Sequence, residues 1–153
     1  MTVIKAGTAR RDTGGDSDTL GPYSAELISD SAGLTQFGAF VEELPPGSHS
    51  SHTHWHATED EMVLILSGTV ILTEGDIETA LHPGDAACWR AGEAVGHSMH
   101  NRSDQPVRYV VIGTRAPQDR VTYPTLDRVL TFDRTTDTRT YQTLNGQPAS
   151  KPT

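Results

Sequence analysis

Between residues 23 and 113 the chain alternates short apolar runs with Gly, Pro and Asp punctuation. Tyr23 to Ile28 and Leu34 to Leu44 read as extended. In the second, Phe37, Ala39 and Val41 share one face, and the alternation is partial, as when both faces of a strand are partly covered. Met62 to Leu66 is apolar on both parities, the pattern of a buried strand. Val70 to Leu72, Ile77 to Leu81, Ala86 to Trp89, His97 to Asn101 and Val107 to Gly113 read as further strands. Turns fall at Pro45-Pro46-Gly47, Ser67-Gly68, Glu74-Gly75-Asp76 and Pro83-Gly84-Asp85. Strand signals spaced roughly 8–12 residues apart, with Gly or Pro between them, predict a sandwich or barrel. No stretch carries a helical period. The fold class is all-β, and a double-sheet jelly roll fits the strand count.

The flanks differ. Residues 1–22 are rich in Gly, Asp, Thr and Ser and read as a mobile N-terminal arm. Residues 23–125 form the expected barrel, and residues 126–153 a C-terminal extension. There Val129, Leu130 and Phe132 are candidates to anchor a short strand or helix, while the surrounding charges read as a solvated face.

Composition narrows the function. A chain of 153 residues is one domain's worth, long enough to bury a core. Twelve basic against 20 acidic residues give a net charge of −8, which argues against a general nucleic-acid surface. Cys88 is the only cysteine, so no intrachain disulfide forms; the expectation is a buried, inert thiol in a reducing cytoplasm. The N-terminus has no apolar leader, and no run approaches the ~18 apolar residues of a membrane helix.

Candidate chemistry concentrates in Ser51-His52-Thr53-His54-Trp55-His56-Ala57-Thr58-Glu59-Asp60-Glu61. Three of the seven histidines stand at alternate positions, followed by three consecutive acidic residues. A strand points i, i+2 and i+4 to one face, so His52, His54 and His56 share a side. Imidazole with carboxylate suits a first-row transition metal. Glu61 is odd-numbered where the histidines are even, so a turn or bulge within residues 57–60 must reset the alternation.

Two blocks around this stretch resemble those of the cupin superfamily. The first runs Pro46-Gly47, His54, His56, Glu61, Gly68; the second runs Pro83-Gly84-Asp85, Gly92, His97, Asn101. The resemblance covers about residues 34 to 125 and is similar to a subgroup of stand-alone bacterial cupins. It departs from the family pattern at Arg90, where a Pro is usual, and in a gap from Gly92 to His97 that is two residues longer. It implies a double-stranded β-helix with His54, His56, Glu61 and His97 as metal ligands. His97 has the family position relative to Asn101, and His100, three residues on, falls on the opposite strand face. His52 is assigned to the pocket rim or to supporting a ligand; His49 and His82 read as solvated turn residues.

Around the ligands, Glu59 shares parity with Glu61 and is an alternative ligand or a general base. Arg90 and Tyr109 complete the candidate catalytic set, and with Tyr23 they are candidates to hold a substrate carboxylate. Three His and one Glu leave open coordination positions. Fe(II) would support oxygenation, as in a dioxygenase; Mn(II), Ni(II) or Zn(II) would support isomerisation, decarboxylation or elimination. The resulting expectation is a metal-dependent enzyme for a small polar carboxylate or sugar-like substrate. The alternative is a non-catalytic cupin that binds a small molecule. A homodimer is also expected, because one parity of Met62 to Leu66 lines the barrel and the other needs cover.

Overall fold

The computed structural model describes residues 1–15 and 19–152. Its strands are β1 (Arg10–Gly14), β2 (Tyr23–Leu27), β3 (Phe37–Leu44), β4 (Trp55–His56), β5 (Glu61–Ser67), β6 (Val70–Glu74) and β7 (Ile77–Leu81), followed by β8 (Ala86–Trp89), β9 (His97–His100), β10 (Val107–Thr114), β11 (Gln118–Tyr123), β12 (Arg128–Asp133) and β13 (Thr138–Gln142). A single helical turn, α1 (Ile28–Ser31), follows β2, and Pro124–Leu126 forms a 3-10 turn between β11 and β12. The largest sheet has the order β1-β2-β3-β10-β5-β8; two smaller ones run β7-β6-β9 and β13-β12-β11-β4. All named ladders are antiparallel. This is the all-β jelly-roll barrel expected from the strand pattern, with residues 1–15 and 19–152 holding no helix long and apolar enough to cross a membrane.

Period-two alternation builds the core. On β5, Val63 and Ile65 point in while Leu64 and Leu66 point out. On β10, Val107, Tyr109 and Val111 are buried. They meet Leu44, Val70, Leu72, Leu81, Trp89 and Met99 in one apolar cluster. Fully burying each large apolar side chain contributes roughly 1.5–3 kcal/mol.

Register sorts the inward residues of β3, β10 and β5 into layers. Gly38, Gly113 and Glu61 face one another at one end. Phe40, Val111 and Val63 form the next layer, then Glu42, Tyr109 and Ile65, beyond which a bulge at Arg108/Tyr109 shifts the register. Two glycines opposite Glu61 leave the first layer without side chains on two strands, which opens space beside that carboxylate.

Two devices close the barrel. Asn101, fully buried, donates from Nδ2 to the carbonyls of Leu44 (2.8 Å) and Gln105 (2.9 Å). Its Oδ1 accepts from the Ser103 amide (3.0 Å) and hydroxyl (2.7 Å), so the end of β9 is tied to β3 and to the turn before β10. Gly68 turns β5 into β6 at φ +79°, and a Cβ there would sit 2.7 Å from the Pro106 carbonyl oxygen, so no larger residue fits.

Several segments differ from expectation. Within the stretch read as an arm, Arg10–Gly14 pairs along its whole length with β2. Its residues are mostly exposed, so no apolar alternation betrayed this edge strand; residues 16–18 of that stretch lie outside the described residues. The histidine stretch is a short bridge plus a two-residue strand, because its pairing passes from His97 at His54 to β11 at Trp55 and His56. Cys88 is exposed rather than buried, since β8 edges its sheet and only the opposite parity, Trp89, points inward. The C-terminal region contributes two full strands, β12 and β13, and through β11 their sheet reaches β4 and hence His56.

Candidate metal centre

The site is assembled from three ladders. His54 and His97 face each other across an isolated antiparallel bridge, closed by amide–carbonyl bonds of 3.1 and 2.9 Å. Directly opposed residues project to the same side, so both rings enter the barrel. His56 pairs with Val121 of β11. The chain then turns through residues 57–60, where Ala57 N–H donates to Arg120 O (3.0 Å) and Thr58 N–H to Asp119 Oδ1 (2.9 Å). That turn resets the parity, and Glu61 starts β5 on an inward position opposite Gly113 and Trp89.

The result is convergence on one carboxylate oxygen. Glu61 Oε2 lies 3.9 Å from His54 Nε2, 3.6 Å from His56 Nε2 and 3.5 Å from His97 Nε2. Ligand atoms of His54, His56 and Glu61 all fall within 4.8 Å of one another. These separations exceed ordinary hydrogen-bond reach, and Glu61 Oε2 and both ring nitrogens of His97 are buried without a hydrogen-bond partner. Buried polar atoms are seldom left so, and donors orphaned around a shared point fit a divalent metal ion.

The outward nitrogens support this reading. His54 Nδ1 lies 2.9 Å from the His52 carbonyl oxygen, to which it donates, and 3.2 Å from Ser51 Oγ. His56 Nδ1 lies 2.6 Å from Asp119 Oδ2, whose other oxygen accepts from the Thr58 amide and hydroxyl. A proton on Nδ1 leaves the Nε2 lone pair for the metal, the usual arrangement for ligating histidines. His97 is held instead by stacking, 3.8 Å and 7° from the Trp89 ring.

Electrostatics follow burial. Desolvation pushes His54 down to about 4, against the opposing pull of Glu61. Burial also works against a charged His56, but the bond to Asp119, together with Glu61, carries it above its ordinary value. For Glu61 burial favours the neutral acid, yet His97, His54 and His56 together hold it below the ordinary value. Asp119, resisting its own burial, is held low by His56 and Thr58. Burial raises Tyr123, 5.8 Å from the His54 ring, to about 12.

Two cavities meet at Glu61. A mouth of about 310 Å³ is lined by His56, Glu59, Gly38, Gly113, Arg115 and Arg134, among others. An inner chamber of about 200 Å³ includes His54, His97, Trp89, Glu42 and Tyr109. Phe40, Glu61 and Val111 belong to both. Concave, mostly apolar spaces with a few convergent polar groups are of the kind that takes a small ligand.

The other sequence candidates are dispersed. Glu59 lies in the mouth, accepting from Arg134 Nη2 (2.8 Å) and the Ala116 amide (3.0 Å); it groups with His56 and Asp119, not with His54 and Glu61. Tyr109 is fully buried in the inner chamber. Arg90 has an 88 % exposed side chain beside Glu93 and lines neither cavity. His52 contributes its carbonyl, while its side chain lines a surface hollow with His49. His100 turns away from the site and stacks on His49 at 3.9 Å. Asp119, Arg115, Arg134 and Glu42 were not singled out from sequence. One usable signal was the parity of Asp119, Val121 and Tyr123 in a strand-like run.

Fold and donor set together define a β-barrel protein whose grouped His54, His56 and Glu61 could hold a divalent metal, with His97 beside them. The cupin-domain family model matches residues 40–113, and the chain belongs to the cupin superfamily. A sugar phosphate isomerase of this superfamily from Silicibacter pomeroyi is 28 % identical, with TM-score 0.88 over 97 % of both chains. A candidate sugar phosphate isomerase from Acidithiobacillus ferrooxidans is 26 % identical, with TM-score 0.77 over 86 % of this chain and 82 % of that one. A predicted oxalate decarboxylase from Thermotoga maritima, at 17 % identity and TM-score 0.64 over 75 % of this chain and all of the other (100 %), shares the fold. No curated protein matches the chain.

Proposed function

We propose that this protein is a metal-dependent enzyme that interconverts aldose and ketose forms of a small phosphorylated sugar, with His54, His56, Glu61 and His97 holding the metal. The observation that carries the reading is the set of orphaned, converging donor atoms at the junction of two cavities. Likeness to the Silicibacter protein over nearly the whole of both chains supports the substrate class. The metal would polarise a substrate oxygen and so acidify the neighbouring C–H. Asp119 keeps the His56 ring oriented, the His52 carbonyl does the same for His54, and the apolar wall of Val63, Val111 and Trp89 excludes water. Mn(II), Fe(II), Ni(II) and Zn(II) are the candidate ions.

The test is to load the metal-free protein with each ion and follow a panel of aldose and ketose phosphates by NMR. Interconversion that stops on chelation supports the reading. Stoichiometric metal and tight sugar-phosphate binding without turnover would support the binding-protein alternative instead.

A homodimer in the cytoplasm is the proposed working form. Leu64 and Leu66 remain 36 % and 44 % exposed on the outer sheet face, beside exposed Ala86 and Cys88. A strip of this kind gains from cover. Leu66→Glu should convert a dimer to monomer in sedimentation; a wild type that is monomeric at micromolar concentration would remove the proposal.

A further inference from the structure

The inner end of the chamber holds a carboxyl that metal binding does not use. Glu42 of β3 and Tyr109 of β10 are direct ladder partners, and both side chains enter the barrel. Tyr109 is 0 % exposed and Glu42 8 %. The Tyr109 hydroxyl donates to Glu42 Oε1. The chamber they line runs to His54, Glu61 and His97 at its other end. Glu42 is level with Tyr109 and Glu61 with Gly113, four residues along β10. At about 3.3 Å per residue, these levels are about 13 Å apart along the strand. The layer between them, Phe40, Val63 and Val111, lines the same chamber of about 200 Å³, which is room for a small molecule.

As packing, the pair makes little sense. An aliphatic and a Phe would fill the same space without desolvating a carboxyl that has one donor. We propose that Glu42 is the proton-carrying catalytic residue of this site and that Tyr109 is its positioning residue. The inference rests on the isomerase reading and deepens it. In the deprotonated form Glu42 takes the proton from the hydroxyl-bearing carbon beside the substrate carbonyl. The C–H pair becomes the C=C bond of an enediol while the carbonyl oxygen takes up a proton. Glu42 then returns its proton to the former carbonyl carbon, and the hydroxyl on the first carbon gives up its own to become the new carbonyl. Atoms and electrons balance with no external oxidant.

The electrostatics suit the role. Burial raises Glu42 to about 7, opposed by the Tyr109 hydrogen bond and assisted by Glu61 of β5 and Asp12 of β1. His54 and His97 are the other titratable groups on the chamber wall. A carrier near neutrality both takes and returns a proton readily.

The test compares wild type, Glu42→Gln and Tyr109→Phe at equal metal content. Gln still accepts from Tyr109, which keeps the fold. With triose, pentose and hexose ketose phosphates in deuterium oxide, NMR reads both isomerisation and exchange of the α-proton with solvent. Glu42→Gln should lose ~10²–10⁴-fold in both rates, with KM and bound metal little changed. Tyr109→Phe should keep more activity. Because its hydrogen bond lowers Glu42, its loss should move the acidic limb of kcat/KM to higher pH, a shift that a structural role does not produce. A second readout needs no substrate: the metal-free Glu42→Gln protein should melt higher than wild type above neutrality and level with it in mild acid. Exchange without isomerisation in the wild type would end the isomerase reading but still test Glu42. Glu42→Gln within tenfold of wild type in exchange, or no exchange by the wild type with any of the three probes, overturns the proposal.

Discussion

The mouth and the inner chamber share Glu61 yet treat their carboxylates in opposite ways. In the mouth, Glu59 meets a guanidinium and a backbone amide. Asp30 likewise meets Arg115, whose Nη1 also donates to the Leu34 carbonyl at 3.1 Å. Both carboxylates have a fixed counter-charge at the edge of water. In the chamber Glu42 has one phenol and walls of Phe40, Val63, Met99 and Val111. The same residue type is a strut at one end and a titrating acid at the other. Environment, not identity, sets the role.

The largest effect should come from removing the histidines that flank Glu61, one on each space. His54→Ala with His56→Ala should reduce bound metal from one per chain to background in elemental analysis, while the far-ultraviolet spectrum stays β-type. His100→Ala, outside both cavities, should keep its metal. A double variant that retained stoichiometric metal would show that these histidines do not hold it.

Next in size is a pH effect on the metal-free fold. Burial depresses His54 from 6.5 to about 4. The unfolded chain therefore binds this proton more tightly than the folded one. The contribution is fully present above pH 6.5 and is lost as pH falls through about 4. At about 1.4 kcal/mol per pKa unit it amounts to roughly 3 kcal/mol. Denaturant titrations across that window should show the slope, and His54→Ala should flatten it. Glu42 has the reverse sign: its raised value makes stability complete below 4.5 and falling as pH rises through about 7. Opposite slopes from His54 and Glu42 would sharpen the contrast with the mouth, where Glu59→Gln should cost ~1 kcal/mol through the weakened pairing with Arg134.

Asp119→Ala should weaken metal affinity about 10–100-fold, because the His56 ring loses the carboxylate that orients it. Competition with a chromogenic chelator measures this directly. The smallest effect is steric. A Cβ at Gly38 would lie 3.5 Å from Arg115 Nε, and at Gly113 3.6 Å from the Asp60 carbonyl oxygen, both ordinary contacts. Gly38→Ala and Gly113→Ala should therefore leave the melting temperature unchanged or slightly higher, while raising KM through a narrower mouth. An unchanged KM in both would show that ligands do not occupy that layer.

What the sequence determined by itself is local. Short apolar runs bounded by turn residues placed β5, β8 and β10 within a residue or two, because side-chain pattern and turn residues act over a few positions. His54, His56 and His97 were legible for the same reason, through strand spacing and the two motif blocks. The polar edge strand β1 and the sheet of β11, β12 and β13 lacked that apolar rhythm, so their pairing was invisible. Only the tertiary structure brought Asp119 to His56 across 63 residues, Arg134 to Glu59 across 75, and Tyr109 to Glu42 across 67. Arg90, chosen for its unusual place in a motif, ended in solvent, whereas Arg115 and Arg134 reached the mouth through ladders far along the chain. Which charged groups share a low-dielectric space depends on ladder register between distant strands, and no local pattern encodes that register.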